Sequence, residues 1–193
     1  TAEGRMLALE IVKGAVDVSG KTILPLHFAM SRYADTLRAS HEAAAGAVRE
    51  ALDAGQDVAM LNLGDVSIYA TYGYLEEILR AAGYPTARIA GVPSFCAAAA
   101  ALGRSLTDGM EAPLTLAPGR HAEQVLDAPG AKVLMKSGRQ LPAALAALRR
   151  RGLLEKSAMA CNCGLPEQTL WPDLSSYDPA RPAGYFTTII VKE

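Results

Sequence analysis

Three short segments bring together residue types that suit small-ligand binding at the ends of strands. The first is Leu61-Asn62-Leu63-Gly64-Asp65-Val66-Ser67-Ile68-Tyr69. An apolar run ends in a glycine, whose missing Cβ permits close approach of a ligand. An acidic residue follows, and then a predicted helix whose first N–H groups suit an anion such as an amino-acid carboxylate. The alternative is a structural turn in which Asp65 caps that helix. The second segment, Ile89-Ala90-Gly91-Val92-Pro93-Ser94-Phe95, has the same form, with Ser94 able to cap the helix after it. The third, Val133-Leu134-Met135-Lys136, closes another apolar run. Ligands of open α/β sheets bind at the carboxyl ends of strands, so the three together predict one cleft between two lobes.

Other chemistries lack their signatures. There is no G-x-x-x-x-G-K-[ST] or G-x-G-x-x-G phosphate loop and no G-x-S-x-G nucleophile elbow. His41 is expected on a solvated helix face, His27 after an apolar segment and His121 at a helix start; none is placed in a catalytic dyad. Arg149-Arg150-Arg151 reads as a solvated helix end complementing the dipole, with carboxylate recognition as the alternative. Cys96, Cys161 and Cys163 are too few for a disulfide framework. Cys161 and Cys163 are close in sequence, but the histidines are scattered, so free thiols are expected and no metal.

The elements that must position these segments follow from periodicity. Met6 to Val12 fits a helix or a strand. Ile23 to Phe28 reads as an extended edge segment containing Pro25. Leu37, Ala44, Val48, Ala51 and Leu52 recur at helical spacing, predicting a helix over 36–54 stopped by Gly55. A strand buried on both faces is expected at 57–63, a helix at 67–82 and a strand at 86–89, the rhythm of a parallel sheet. A helix at 95–103 carries an alanine run, Ala97 to Ala100, that lets another element approach closely. The texture changes near 103–107, which places a lobe boundary there: lobes 1–105 and 106–193. The second lobe is read as strands at 114–116, 131–135, 157–161 and 185–192, with helices at 122–126 and 140–151. Pro142 is acceptable in a first helical turn. The stretch 165–184, with four prolines, reads as an irregular connection.

Composition narrows the class. A chain of 193 residues with a hydrophobic fraction of 50% is long enough and apolar enough for a sizeable core. Lys plus Arg number 19 and Asp plus Glu 20, a formal net charge of −1 that argues against a generic nucleic-acid binder or a polybasic membrane surface. Aromatic residues at 6% argue against a base-stacking platform. The longest apolar run, Ala97 to Leu102, is far too short to cross a bilayer. The free cysteines fit a reducing cytosol, so a cytoplasmic protein is expected; no signal peptide is visible, but the chain begins at Thr1 without an initiator Met, which reads as a processing boundary.

On these residues the sequence resembles the tetrapyrrole methylases, enzymes of corrin and sirohaem synthesis that use S-adenosylmethionine. Gly64-Asp65-Val66-Ser67-Ile68-Tyr69-Ala70-Thr71 is similar to a Gly-Asp-x-Ser-x-Tyr-x-Thr segment of the branch that methylates carbon 20 of precorrin-2. Gly91-Val92-Pro93-Ser94-Phe95 with its alanine run resembles that branch's Gly-Val-x-Ser-Phe helix start. Val133 to Lys136, Asn162-Cys163-Gly164 and Tyr185 to Val191 match in type and order, so the likeness spans nearly the whole chain. Relatives commonly have Thr where Pro93 stands, which removes a hydroxyl at that place. Nothing matches the family's first strand and its glycine- and proline-rich loop, so Thr1 is expected to lie downstream of them.

The resemblance implies two α/β lobes, usually in a homodimer, with the site in the cleft. It implies that S-adenosylmethionine is cradled by backbone at Gly64, Asp65, Val66 and Ile68, with Pro93, Ser94, Met135 and Cys163 beside its adenosine, and leaves as S-adenosylhomocysteine. The expected reaction is methylation of carbon 20 of precorrin-2 in cobalamin synthesis, with cobalt-factor II or another ring position as the alternative. The methyl is electrophilic in the cofactor and the meso carbon is electron-rich, so no catalytic base is required. Tyr69, Tyr72 and Arg139 are candidates for orienting the tetrapyrrole. The rival from another class is a non-catalytic binding module on the same scaffold.

Overall fold

The computed structural model describes residues 6–181 and 183–192; Thr1, and Pro182 within the predicted irregular connection, lie outside them. The chain forms two compact units, one through Gly91 and one from Val92.

In the first unit, α1 (Leu7–Ala15), α2 (Ala34–Asp53) and α3 (Tyr72–Ala81) are the regular elements. The ambiguous run at 6–12 is thus helical. The apolar stripe of α2 meets α3 through Ala44, Ala45, Val48, Leu75 and Leu79, with Leu26, Phe28 and Met60 packed alongside. The segment 23–28 carries no strand pairing among the described residues. Neither do 57–63 and 86–89, read from the sequence as parallel strands, and they are not buried: Val58, Leu61, Leu63 and Ile89 are exposed. Apolar runs record a preference for burial, whereas a ladder needs a backbone partner that periodicity does not reveal. The segment 84–93 is held by side chains. Tyr72 donates its hydroxyl to the Ala87 carbonyl at 3.1 Å, and Arg88 Nε donates to Glu76 Oε2 at 2.8 Å. Glu76 is buried, and the Arg88 guanidinium beside it holds its carboxyl below the usual range.

The second unit is built on a five-stranded mixed sheet: β1 (Leu114–Pro118), β2 (Ala131–Met135), β3 (Ser157–Cys161), β4 (Thr169–Trp171) and β5 (Thr187–Val191). Their order is β1-β2-β5-β3-β4. β1 and β2 are parallel, with Pro118 opposite Met135; β5 runs antiparallel to both β2 and β3. Consequently β1, β2 and β3 all end at one edge of the sheet, and β5 begins there. The three central strands are buried throughout, including the polar residues Lys132, Ser157, Thr187 and Thr188 that interrupt their apolar runs. α4 (Ser94–Ala101) lies against β5 and β3, its Ala98 and Ala99 buried, so the alanine run does permit close approach. For that reason α4 belongs with the second unit, upstream of the boundary placed at 103–107. α5 (Ala122–Val125) and α6 (Leu141–Arg150) complete it, with Pro142 in the first turn. The core gathers Leu126, Leu134, Leu148, Met159, Leu174 and Ile189. β4 is a strand inside the stretch expected to be irregular; three residues are too few to leave a periodic signal.

Two further readings are corrected. His41 is half-buried and stacks on Tyr74, ring centroids 4.6 Å apart, because α3 packs on the face expected to be solvated. Arg150 and Arg151 are not merely solvated: Arg151 holds Glu123 at 2.8 Å and Asp127 at 2.7 Å, and Arg150 also pairs with Glu123. Among the described residues no helix is long and apolar enough to cross a membrane.

Candidate functional site

The two Gly-containing junctions of the first unit meet. Gly64 has φ +79°, a conformation that favours glycine, and turns the chain into Asp65. Asp65 Oδ1 accepts the Ser67 N–H at 2.8 Å and the Ser67 hydroxyl, a local Asx turn. Its other oxygen, Oδ2, accepts the Gly91 N–H at 2.8 Å, 26 residues along the chain. The contact is close enough that a Cβ on Gly91 would lie 2.3 Å from the Gly64 carbonyl oxygen. Hydrogen bonds from Ser67, then from Gly91, hold the Asp65 carboxyl below its ordinary range.

This differs from the local reading in one respect. α3 begins at Tyr72, with Thr71 before it, so Asp65 neither caps a helix nor faces one's first N–H groups. Short polar side chains compete with helix start by bonding their own backbone, as Asp65 does with Ser67. Val66 and Ile68 are half-buried in the turn, and the Ile68 N–H reaches the Asp65 carbonyl at 3.3 Å. Tyr69 is exposed with φ +49°, and the Tyr72 hydroxyl is engaged by Ala87. Asp65 as a link to Gly91 was not legible locally, since only the folded chain brings them together.

The other nominated residues lie in the second unit. Pro93 occupies the cap position of α4 and Ser94 is its first helical residue, so Ser94 does not cap it; Pro93's carbonyl accepts the Cys96 N–H at 2.9 Å. Met135 and Cys163 flank the start of β5 at the shared sheet edge. There the Ser137 N–H donates to the Thr187 carbonyl at 3.0 Å and the Asn162 N–H to Phe186 at 2.9 Å. Glycines close this edge tightly: a Cβ on Gly138 would lie 2.4 Å from the Gly184 carbonyl oxygen. Lys136 and Asn162, beside Met135 and Cys163, have φ +53° and +51°. Non-glycine residues in that region are uncommon and gather at functional sites. Arg139 is exposed in the turn Gly138–Gln140.

Met135 is nearly buried, and Cys163 carries a half-buried thiol whose pKa burial raises, so it is a neutral group at physiological pH. Cys161 is buried against Thr187, Sγ to Oγ1 3.2 Å. The cysteines are free, and no group of three or more His, Cys, Asp or Glu side chains stands ready for a metal among the described residues.

A profile of the tetrapyrrole (corrin/porphyrin) methylases matches residues 2–176. The chain is 30% identical over 195 residues to the cobalt-precorrin-2 C(20)-methyltransferase of Salmonella typhimurium, covering 98% of this chain and 81% of that protein. It is 31% identical over 133 residues to a probable cobalt-precorrin-2 C(20)-methyltransferase of Methanocaldococcus jannaschii, covering 69% of this chain but only 56% of that one. The fold is similar to that of uroporphyrin-III C-methyltransferase of Thermus thermophilus complexed with S-adenosylhomocysteine. There the TM-score is 0.61 at 17% identity, over 79% of this chain and 73% of the other. With its mixed α/β fold and a profile match running from residue 2 to residue 176, the chain belongs to the tetrapyrrole methylases.

Proposed function

We propose that this protein transfers a methyl group from S-adenosylmethionine to carbon 20 of precorrin-2, in the synthesis of cobalamin. The observation that carries this reading is the link from Asp65 to Gly91, which fixes two ligand-sized glycine turns against each other in a chain of this family. A second reading, the same methylation on the cobalt-containing ring, is favoured by the similarity to the cobalt-precorrin-2 C(20)-methyltransferases of Salmonella and Methanocaldococcus.

When bound, S-adenosylmethionine supplies an electrophilic methyl on sulfonium sulfur. The chain's own part is orientation and exclusion of water. Backbone at Gly64, Asp65, Val66 and Ile68 holds the amino-acid end. Pro93, Ser94, Met135 and Cys163 line the adenosine. Tyr69 and Arg139 orient the tetrapyrrole; Tyr72, tied to Ala87, acts by fixing the loop. No side chain is assigned as an acid or base. The working form is a homodimer in the cytoplasm.

The test is incubation with S-adenosylmethionine and either precorrin-2 or its cobalt complex, with the new methyl located by NMR. A methyl on carbon 20 is expected. Methylation at another carbon, or none in protein that binds S-adenosylhomocysteine, overturns the proposal.

A further inference from the structure

The residues that lead into β5 stand between the two turns that carry Met135 and Cys163. On one side the Ser137 N–H donates to the Thr187 carbonyl at 3.0 Å; on the other the Asn162 N–H donates to the Phe186 carbonyl at 2.9 Å. Gly184 opens this wedge, and no side chain fits on it, because a Cβ there would lie 2.8 Å from Asn162 Oδ1. Gly138, next to Ser137, is packed as tightly against the Gly184 carbonyl. The position of 184–187 therefore sets the separation of the two turns.

Thr187 holds the wedge from inside the sheet. It is 1% exposed, and the ladder pairs it with Cys161, the last residue of β3. A buried hydroxyl is unfavourable unless it is hydrogen-bonded, so this one must have partners. It donates to the Gly184 carbonyl at 2.5 Å, and Cys161 Sγ lies 3.2 Å from the same oxygen. A hydroxyl has one proton; with that proton on Gly184, the Cys161 thiol is the donor of the second bond. Thr187 thus reaches all three segments at this end of the sheet. Its carbonyl holds the turn after β2, its hydroxyl holds Gly184, and its pairing holds the end of β3.

We propose that Thr187 is a positioning residue for cofactor binding: its hydroxyl, by holding the Gly184 carbonyl, keeps the turns of Met135 and Cys163 at the separation that the adenosine of S-adenosylmethionine requires. Buried in the sheet, it touches no ligand itself. The inference rests on the reading above that Met135 and Cys163 line the adenosine. Its physical basis is preorganisation, since a turn held in place beforehand need not be ordered when the ligand binds.

The test titrates S-adenosylhomocysteine into the full chain by calorimetry and follows urea unfolding of the same preparations. Thr187→Val keeps the outline of the side chain without its hydroxyl, and affinity is expected to fall about tenfold. Thr187→Ser, which keeps the hydroxyl, should bind within about threefold of wild type. Cys161→Ala removes only the far end of the relay and should stay within about twofold. Gly184→Ala leaves the hydroxyl in place but forces the turn away from Asn162, and should weaken binding about tenfold. That variant decides the matter should Thr187→Val not fold. Lower stability of Thr187→Val with unchanged affinity makes the hydroxyl a structural group only and overturns the inference. An equal loss in Cys161→Ala, or a loss that Thr187→Ser shares, overturns it too. Wild-type protein that binds S-adenosylhomocysteine while Thr187→Val and Gly184→Ala bind it as well overturns this inference alone. Wild-type protein that does not bind it overturns the methylase reading with it.

Discussion

The Asp65 carboxylate accepts the Gly91 N–H at 2.8 Å, joining two turns that lie 26 residues apart in sequence. The same place allows no side chain on Gly91, because a Cβ there would meet the Gly64 carbonyl oxygen at 2.3 Å. Gly91→Ala must therefore move one backbone segment away from the other. In the proposed reading, calorimetry should show S-adenosylhomocysteine affinity falling at least tenfold, about 1.4 kcal/mol, with circular dichroism unchanged. Wild-type affinity in a folded variant would remove this turn from the site.

The pH response of the same link has a definite sign. Ser67 and Gly91 hydrogen bonds keep the folded Asp65 carboxyl below the ordinary value of 3.8. Its contribution is complete above that value and is lost as pH falls through the folded pKa. The amide resonance of Gly91 should stay constant from about pH 7 down to pH 4 and shift only below the ordinary carboxyl range. A midpoint at or above 3.8 contradicts the bond to a depressed carboxylate.

Core packing offers a stability test independent of function. Leu148 on α6 is fully buried among Leu134, Met159 and Ile189. Leu148→Ala removes methyl groups from a site enclosed by sheet and helix, and should cost about 2–5 kcal/mol in urea unfolding. A loss under about 1 kcal/mol would mean that this face of α6 is not part of the core.

Cys161 and Cys163 should differ in reactivity although both are free. Cys161 is buried and bonded to Thr187, whereas Cys163 is half-buried with its thiol pKa raised by burial. Because the thiolate is the nucleophile, iodoacetamide should modify Cys163 slowly near neutral pH and faster as pH rises above the usual thiol range. Cys161 should react only on unfolding. Rapid labelling of Cys161 in native protein, followed by mass spectrometry, would show its burial to be wrong.

The second unit was largely legible in the sequence. The strands 131–135 and 157–161 are bounded in the fold as periodicity and flanking turns predict, because runs buried on both faces leave a strong local signal. The same holds for α2 and α6, whose apolar stripes, with Gly55 after α2 and Pro142 at the start of α6, are readable one turn at a time. The family likeness was legible for a related reason: Gly64-Asp65, Gly91 and Met135 are short segments whose types and order survive in one dimension.

What only the tertiary structure decided are relations between segments. The apolar runs at 57–63 and 86–89 looked like strands, but pairing depends on a neighbour that no local pattern specifies, and both remain unpaired and largely exposed. Asp65 looked like a helix cap; its second oxygen turned out to serve Gly91, a partner set by the path of 84–93 past α3. The antiparallel entry of β5 between β2 and β3 is likewise invisible in the sequence. It is what brings the Lys136 and Asn162 turns, and with them Met135 and Cys163, to one end of the sheet. Local sequence sets which residues favour which element; the hydrogen bonds and charges that make a site are pairings across long stretches of chain, and only the fold fixes those.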